Sequence, residues 1–420
     1  MSAIARILGL GVACLSVSSG CQADPFDKAN TEVAAGLEPH TSVGYVAGQG
    51  IAYVAKRGAA FVVMVGSKEL GTYEQEPTCV VSSNAKTLGC SGKRSGKDVV
   101  TLNGKDVAAH ACWGLELDPE GRSFACLTGK KLGLQLGRGG GLRGRLAQGE
   151  ARVMQDGKPV SSRTFDEVSH LTFDPQGRLL YAAKSAKSWS VQRDAVELAT
   201  NFSQIDELAT CADGRVVFSA QLGKPSVVSV DGKDGPELEL VSGLVCAGKT
   251  FAFAGQEAGR KPRIYLNGAG QDPDYDDVSA PALSQDGAHS AYQAKRGTQQ
   301  FLVVDGVERD VPSGTLSRPW LSGSGRVFSL AAQDNGHQLF VNGVAGDTLS
   351  GLSSVHPLGN SALLVIHEKS TDGQHWYGLI GRESLGPYDD LDGVHLSPNG
   401  AKIGFVARVG RTLTHVVRSE

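Results

Sequence analysis

From about Ser42 onward the apolar residues fall into short runs, such as FVVMV at 61–65, LLYAA at 179–183 and FLVV at 301–304. Each run is bounded by glycine, asparagine, aspartate or proline. Runs this short and this often punctuated do not sustain a helical face; they predict strands of about five residues. Two kinds of punctuation alternate. The first is a turn of the S/D-P-x-G type, as in LDPEGRSFACL at 117–127, FDPQGRLLYAA at 173–183, LSQDGAHSAYQA at 283–294 and LSPNGAKIGFVA at 396–407. Proline presets φ at the second turn position and glycine takes the positive φ that the reversal needs. The second is Asn-Gly or Asp-Gly after an apolar strand, as in VTLNG at 100–104, VSVDG at 228–232, IYLNG at 264–268 and LFVNG at 339–343. These dipeptides supply the consecutive positive φ values of a two-residue hairpin. The stretch from Val278 to Gly306 holds the unit that recurs: strand, turn, strand, turn and strand, closed by an Asp-Gly pair.

The first-turn glycines Gly177, Gly214, Gly248, Gly287 and Gly325 are 37, 34, 39 and 38 residues apart. That period, with four short strands per unit, predicts the blade of a β-propeller. Ten such turns give about ten units, forming either one large ring or two smaller propellers. Many units close with an aromatic or apolar residue beside acids, as at Tyr73-Glu74, Tyr275-Asp276 and Tyr388-Asp389. The last unit, ending at Glu420, lacks an outermost strand, and Val43 to Ala47 are expected to supply it.

The phrases FDPQGRLLYAA, LSQDGAHSAYQA and LSPNGAKIGFVA give the chain its resemblance to the periplasmic TolB-like and PD40 (WD40-like) β-propellers, over nearly all of residues 43–420. The resemblance implies an all-β propeller and speaks for architecture rather than activity, because the phrase is a turn and a packing face. No copy of the separate α/β domain of TolB is present.

Arg6 followed by the apolar run Ile7 to Val17 and by Ser-Ser-Gly-Cys reads as an export signal over residues 1–21, similar to that of bacterial lipoproteins. Cys21 is the candidate lipidation site, although Ser18 stands where that family favours leucine; cleavage after Ala23 is the competing reading. Residues 22–42 are expected to be a flexible tether. The chain is thus expected to be exported, as an outer-membrane lipoprotein facing the periplasm or as a cell-surface protein, with membrane contact through the lipid alone. Export makes the remaining six cysteines candidate disulfides: Cys79 with Cys90, Cys112 with Cys126, and Cys211 with Cys246.

Charge excludes one class of partner. With 41 basic and 44 acidic residues, and a net charge of -3, nothing attracts nucleic acid. One segment breaks the rhythm, since 56 residues separate Gly121 from Gly177. The excess lies in LGRGGGLRGRLAQGE at 136–150, a Gly/Arg-rich insertion expected to be a protruding loop, with Arg138, Arg143 and Arg145 as candidate partner contacts. It has no G-K-[ST] and so no phosphate-binding loop.

A search for catalytic chemistry assigns no residue. There is no G-x-S-x-G, no H-E-x-x-H and no C-x-x-C; no metal site and no cofactor is assigned. The acid runs at 272–277 and 389–392 read as solvated loops rather than calcium ligands. The four tryptophans, Trp113, Trp189, Trp320 and Trp376, read as blade packing. Two functions follow. The leading one is a non-enzymatic binding or scaffold protein of the bacterial cell envelope that presents loops to an unknown protein or envelope polymer. The other is a hydrolase or lyase acting on a sugar or peptide at the channel. A Cys21→Ala variant is expected to lose the labelled fatty acid that the parent chain incorporates in a bacterial host; equal labelling of the two overturns lipidation.

Overall fold

A computed structural model describes residues 29–136, 142–271, 275–311, 318–322, 325–333, 336–349, 351–358, 361–370, 373–380, 383–396 and 402–419. Among them every regular element is a β-strand. The strands form ten units of four, each wound from an innermost to an outermost strand: blade 1 at 38–73, blade 2 at 78–108, blade 3 at 113–159, blade 4 at 165–202 and blade 5 at 204–234. Blade 6 lies at 240–270, blade 7 at 277–311, blade 8 at 320–349, blade 9 at 352–388 and blade 10 at 390–419 with Ala29–Glu32 as its fourth strand. In blade 7 the innermost strand is broken into Asp277–Val278 and Ala282–Leu283, both paired with Ser290–Arg296. Pro281 falls in the gap, where a residue without an N–H costs the ladder nothing.

The core settles the choice between one ring and two. Among the described residues it divides into ten clusters, and each joins two neighbouring blades. Leu88 and Cys90 of blade 2 pack on Val54 and Val63 of blade 1, and Leu115 and Phe124 of blade 3 on Val100 of blade 2. The series runs on to Leu391 and Phe405 of blade 10, which pack on Leu363 and Val365 of blade 9. Val406 and Leu413 of blade 10 then pack on Tyr45, Ile51 and Tyr53 of blade 1. Ten interfaces for ten blades is a single closed ring. The tryptophans lie in four of these interfaces.

The closing strand is Ala29–Glu32, paired with the Thr412–His415 end of the last strand. This corrects the expectation for Val43 to Ala47, whose first residues belong to Glu38–Val46, the innermost strand of blade 1. The tether expected over 22–42 is likewise strand at 29–32 and from Glu38 onward. Arg411 fixes the joint, donating to the carbonyls of Val33 and Ala34, and Val33 and Leu37 are buried beneath it.

The two turn signals have distinct tasks. At the second turn Asn103, Asp156, Asp194, Asp231, Asn267, Asp305 and Asn342 all have φ between 48° and 53°. Each side-chain Oδ1 accepts a backbone N–H at the first or second residue of the second strand of its own blade, those of Leu88, Phe124, Leu179, Val216, Phe251, Ser290 and Val327. These carboxylates and amides are occupied in holding strands together. The acid that follows the aromatic closing residue reaches the next blade instead. Glu74, Asp276 and Asp389 accept the N–H of Gly96, Gly297 and Gly410 at 2.6 Å, capping the hairpins of blades 2, 7 and 10.

First turns interlock around one face of the ring. Ala47 N–H donates to the Ala85 carbonyl, Asn84 to Pro119 and Ala212 to Gly248, each bond crossing from one blade to the next. The crossing is tight. A Cβ on Gly248 would land inside the carbonyl oxygen of Asp286, whereas one on Gly58, at a similar positive φ, meets open space. Gly58→Ala is therefore expected to cost about 1–2 kcal/mol for the left-handed backbone alone. Gly248→Ala is expected to cost a further 2–3 kcal/mol or so for the forced displacement. Urea denaturation of the two variants checks the difference.

Candidate functional site

The innermost strands surround the ring axis, Glu38–Val46 lying beside both Thr78–Val81 and Asp390–Leu396. Most of them carry a register shift midway, at 42–44, 113–116, 169–172, 205–207, 242–245, 352–354 and 392–395. A bulge re-aims side chains and leaves backbone groups outside the ladder. Glycine holds its left-handed position in blades 3, 6 and 10, as Gly114, Gly243 and Gly393. In blade 4 the same position is His170, at a φ of 55°. A non-glycine residue in that region costs backbone energy and marks a position worth examining.

His170 turns along the ring, its Nε2 3.3 Å from the carbonyl of Asp206 and its Nδ1 2.9 Å from the Ser169 hydroxyl. One blade on, Glu207 repeats the move. Its carboxylate accepts the N–H groups of Leu244 at 2.9 Å and Gly243 at 3.3 Å, in the bulge of blade 6. Buried Ser219 donates to the same carboxylate at 3.5 Å, and Asp206 accepts from Gln204 and Gln221 at 2.7 and 2.8 Å. In blade 9 Ser354 and His356 bond to each other at 2.8 Å, and burial holds the His356 imidazole below the ordinary histidine range.

Arg318 stands in blade 8 ahead of Pro319 and the strand Trp320–Leu321, which carries no register shift. It is accessible to solvent. Among the described residues it has no hydrogen-bond or ion-pair partner. Surrounding protein lowers its pKa through desolvation, and the charge of Glu207, three blades away, partly offsets that.

These residues escaped the sequence analysis, yet a signal was there. Counting seven residues back from the first-turn glycines Gly50, Gly121, Gly177, Gly214, Gly287 and Gly325 reaches Val43, Gly114, His170, Glu207, Ala280 and Arg318. Aligning the copies on the turn would have set three ionisable residues apart from a row of small or apolar ones.

The described residues of the insertion, expected to be a loop, are strand. The strand Lys131–Leu136 pairs with the first part of the long strand Leu142–Gln155, whose second part pairs with Phe124–Thr128 in blade 3. Residues 146–151 of that long strand also pair with Phe165–Phe173, the innermost strand of blade 4, along the edge away from Leu179–Ser185. The hairpin therefore continues the sheet of blade 4 toward the ring axis. Its base is fixed by Trp113, whose indole N–H donates to the Gly133 carbonyl at 3.2 Å, and by Gln148, which donates to Glu167. Lys130 and Glu150 pair across it at 2.7 Å, exposed and so worth little. Arg143 and Arg145 lie on the long strand, Arg145 opposite Leu134. Arg138 and Cys21 lie outside the described residues.

All six remaining cysteines are paired. Cys79–Cys90 joins directly opposed residues of two strands in blade 2, and Cys112–Cys126 closes the hairpin that leads to the insertion. Cys211–Cys246 ties the inner part of blade 5 to that of blade 6. The acids of 389–392 serve turns: Asp389 caps Gly410, and Asp390 and Asp392 accept the N–H groups of Leu391 and Gly393.

No family model matches the chain, and no curated protein matches its sequence. Among solved structures it is similar to the Dos1 propeller, at 9% identity over 72% of this chain and 90% of that one, with a TM-score of 0.37. It is similar to TolB from Acinetobacter baumannii at 12% identity over 70% and 67%, with a TM-score of 0.27. It is also similar to dihydro-heme d1 dehydrogenase NirN at 10% identity over 97% and 78%, with a TM-score of 0.39. The propeller rests on the strand pairing and interfaces of the chain itself.

His356 gives the channel a pH dependence of known sign. Its pKa is lower folded than unfolded, so the unfolded chain takes up the proton first. Stability contributed there is present above about pH 6.5 and is lost as pH falls below it. His356→Gln is expected to show a smaller loss of Tm than the parent chain between about pH 7.5 and about pH 5, followed by thermal unfolding across that range.

Proposed function

We propose that this chain is a binding propeller of the bacterial cell envelope, engaging a protein or polymer partner at the mouth of its channel. The observation that carries this reading is the hairpin of 131–148. A surface loop could have carried Arg143 and Arg145; instead the fold sets them on a strand that runs from the pair with Lys131–Leu136 to the inner edge of blade 4. Rigid elements present contacts more accurately than loops do. From Lys130 to Gly149 the sequence has Lys130, Lys131, Arg138, Arg143 and Arg145 and no acid, within a chain of nearly balanced charge. That concentrates a positive field at one place on the ring.

The ring itself is suited to this task. Turn acids and amides are consumed by caps, which leaves the inner bulges and the hairpin as the places where blades differ. Three disulfides fit the oxidising compartment that the export signal implies. The test is cross-linking in intact cells, comparing the parent chain with an Arg138→Gln, Arg143→Gln, Arg145→Gln variant. A partner is expected to be captured by the parent and at least about tenfold less by the variant, as loss of several charged contacts implies. Equal capture by both, at equal expression, removes the hairpin from the binding site.

A further inference from the structure

On the outer rim of the ring, the glycine of a second turn backs onto the outermost strand of the blade before it. A Cβ on Gly104, Gly157 or Gly232 would come within 3.2 Å of Leu70, Ala108 or Leu198, in the outermost strands of blades 1, 2 and 4. On Gly268 of blade 6 it would touch nothing of blade 5, and only Phe251 of its own blade at 4.0 Å. Gly306 of blade 7 is open too, but there the outermost strand of blade 6, Ala269–Gly270, runs up to residues outside the described set. At blade 6 the cause is visible. The outermost strand of blade 5 pairs only at Lys233–Asp234, and Gly235 adds one bond to the Val228 carbonyl. Pro236 has no N–H to continue the ladder, and pairing resumes between Leu238 and Ser226, one residue out of register. Where the strand bulges, a cavity of about 140 Å3 lies between the blades. Val228, Val230 and Leu238 form one wall and Phe251 and Phe253 the other, with the exposed Lys233 and Asp234 at the border.

Close packing would ordinarily fill such a gap. Here the two blades are tied together on its inner side: Cys211–Cys246 joins them, Ala212 N–H donates to the Gly248 carbonyl, and Arg215 donates to the Lys249 carbonyl. The blades cannot swing together over the cavity without straining these ties. We propose that the cavity is a binding site for a phenylalanine side chain, carried by an extended segment of a partner that lies along the rim of blade 5. Volume sets the size, since a dry apolar space of about 150 Å3 takes up benzene. The walls set the chemistry. One is aliphatic, and the other holds the rings of Phe251 and Phe253, nearly parallel and 6.5 Å apart, against which a third ring can pack. A peptide is favoured over a free aromatic molecule by the strand at the border. Val230 and Lys233 close a two-residue turn and Gly235 donates to Val228, so Asp234 between them turns its backbone N–H and carbonyl away from the sheet. Main-chain bonds to such an edge, with a pocket for one side chain, are how an extended peptide is recognised. The site goes beyond the binding role of the hairpin, which belongs to blades 3 and 4, and does not depend on it.

The experiment is a calorimetric titration of the full chain with the capped tripeptide alanyl-phenylalanyl-alanine, with capped trialanine and toluene as the other arms. The phenylalanine peptide is expected to bind at least about tenfold more tightly than trialanine, as burial of one such ring implies, and more tightly than toluene. Val230→Phe fills the space from within. It is expected to weaken the phenylalanine peptide by about tenfold or more and to leave Tm unchanged or raised. Val228→Ala enlarges the space, and is expected to admit a tripeptide with naphthylalanine at its centre that the parent chain refuses; this arm decides the matter if Val230→Phe does not fold. Equal binding of the phenylalanine peptide and trialanine overturns the proposal, as does unchanged binding in Val230→Phe or refusal of the naphthyl peptide by Val228→Ala. Toluene binding as tightly as the phenylalanine peptide overturns the assignment to a partner's side chain.

Discussion

A blade cannot bury its own two faces, and everything else in this structure follows from that. Each four-stranded sheet leaves apolar side chains on both sides, and only a neighbour on each side takes them out of water. The ten clusters are those ten contacts, and the last of them requires the ends of the chain to meet. Ala29–Glu32 does this with only four residues of pairing, reinforced by Arg411 on two carbonyls and by the buried Val33 and Leu37. Among the described residues, closure gives every blade a neighbour on each of its faces.

The polar residues of the repeat serve the same end at a finer scale. The second-turn Asn or Asp fastens strands within a blade, the acid after the closing aromatic fastens a blade to the next, and the first turn interlocks neighbours around one face. This is why a chain rich in turn carboxylates offers few of them for chemistry. Asp305 illustrates the point: its Oδ1 holds the N–H of Ser290 while its other oxygen accepts from His289 at 2.8 Å.

Against that background, departures from the repeat carry the functional meaning. The hairpin of blade 3 crosses into the sheet of blade 4, His170 occupies a bulge position that glycine takes elsewhere, and Glu207 spends its carboxylate on the bulge of the next blade. The departures converge on the channel, the part of a propeller where residues distant in sequence come together.

The sequence by itself determined the strands, both turn types, the period and the number of units, because these depend on φ preferences and hydrophobic runs spanning a few residues. It also set the cysteine pairs, since Cys79 and Cys90 flank one turn and Cys211 and Cys246 recur at one place in successive units. Only the tertiary structure decided that the ten units make one ring, that Ala29–Glu32 rather than Val43 to Ala47 closes it, and that the insertion is a hairpin on the edge of blade 4. It alone brought the Glu207 carboxylate onto the N–H groups of Gly243 and Leu244 in the next blade. Those outcomes depend on which edges and charges meet after the ring closes, between residues tens to hundreds of positions apart, and local pattern has no information about such encounters.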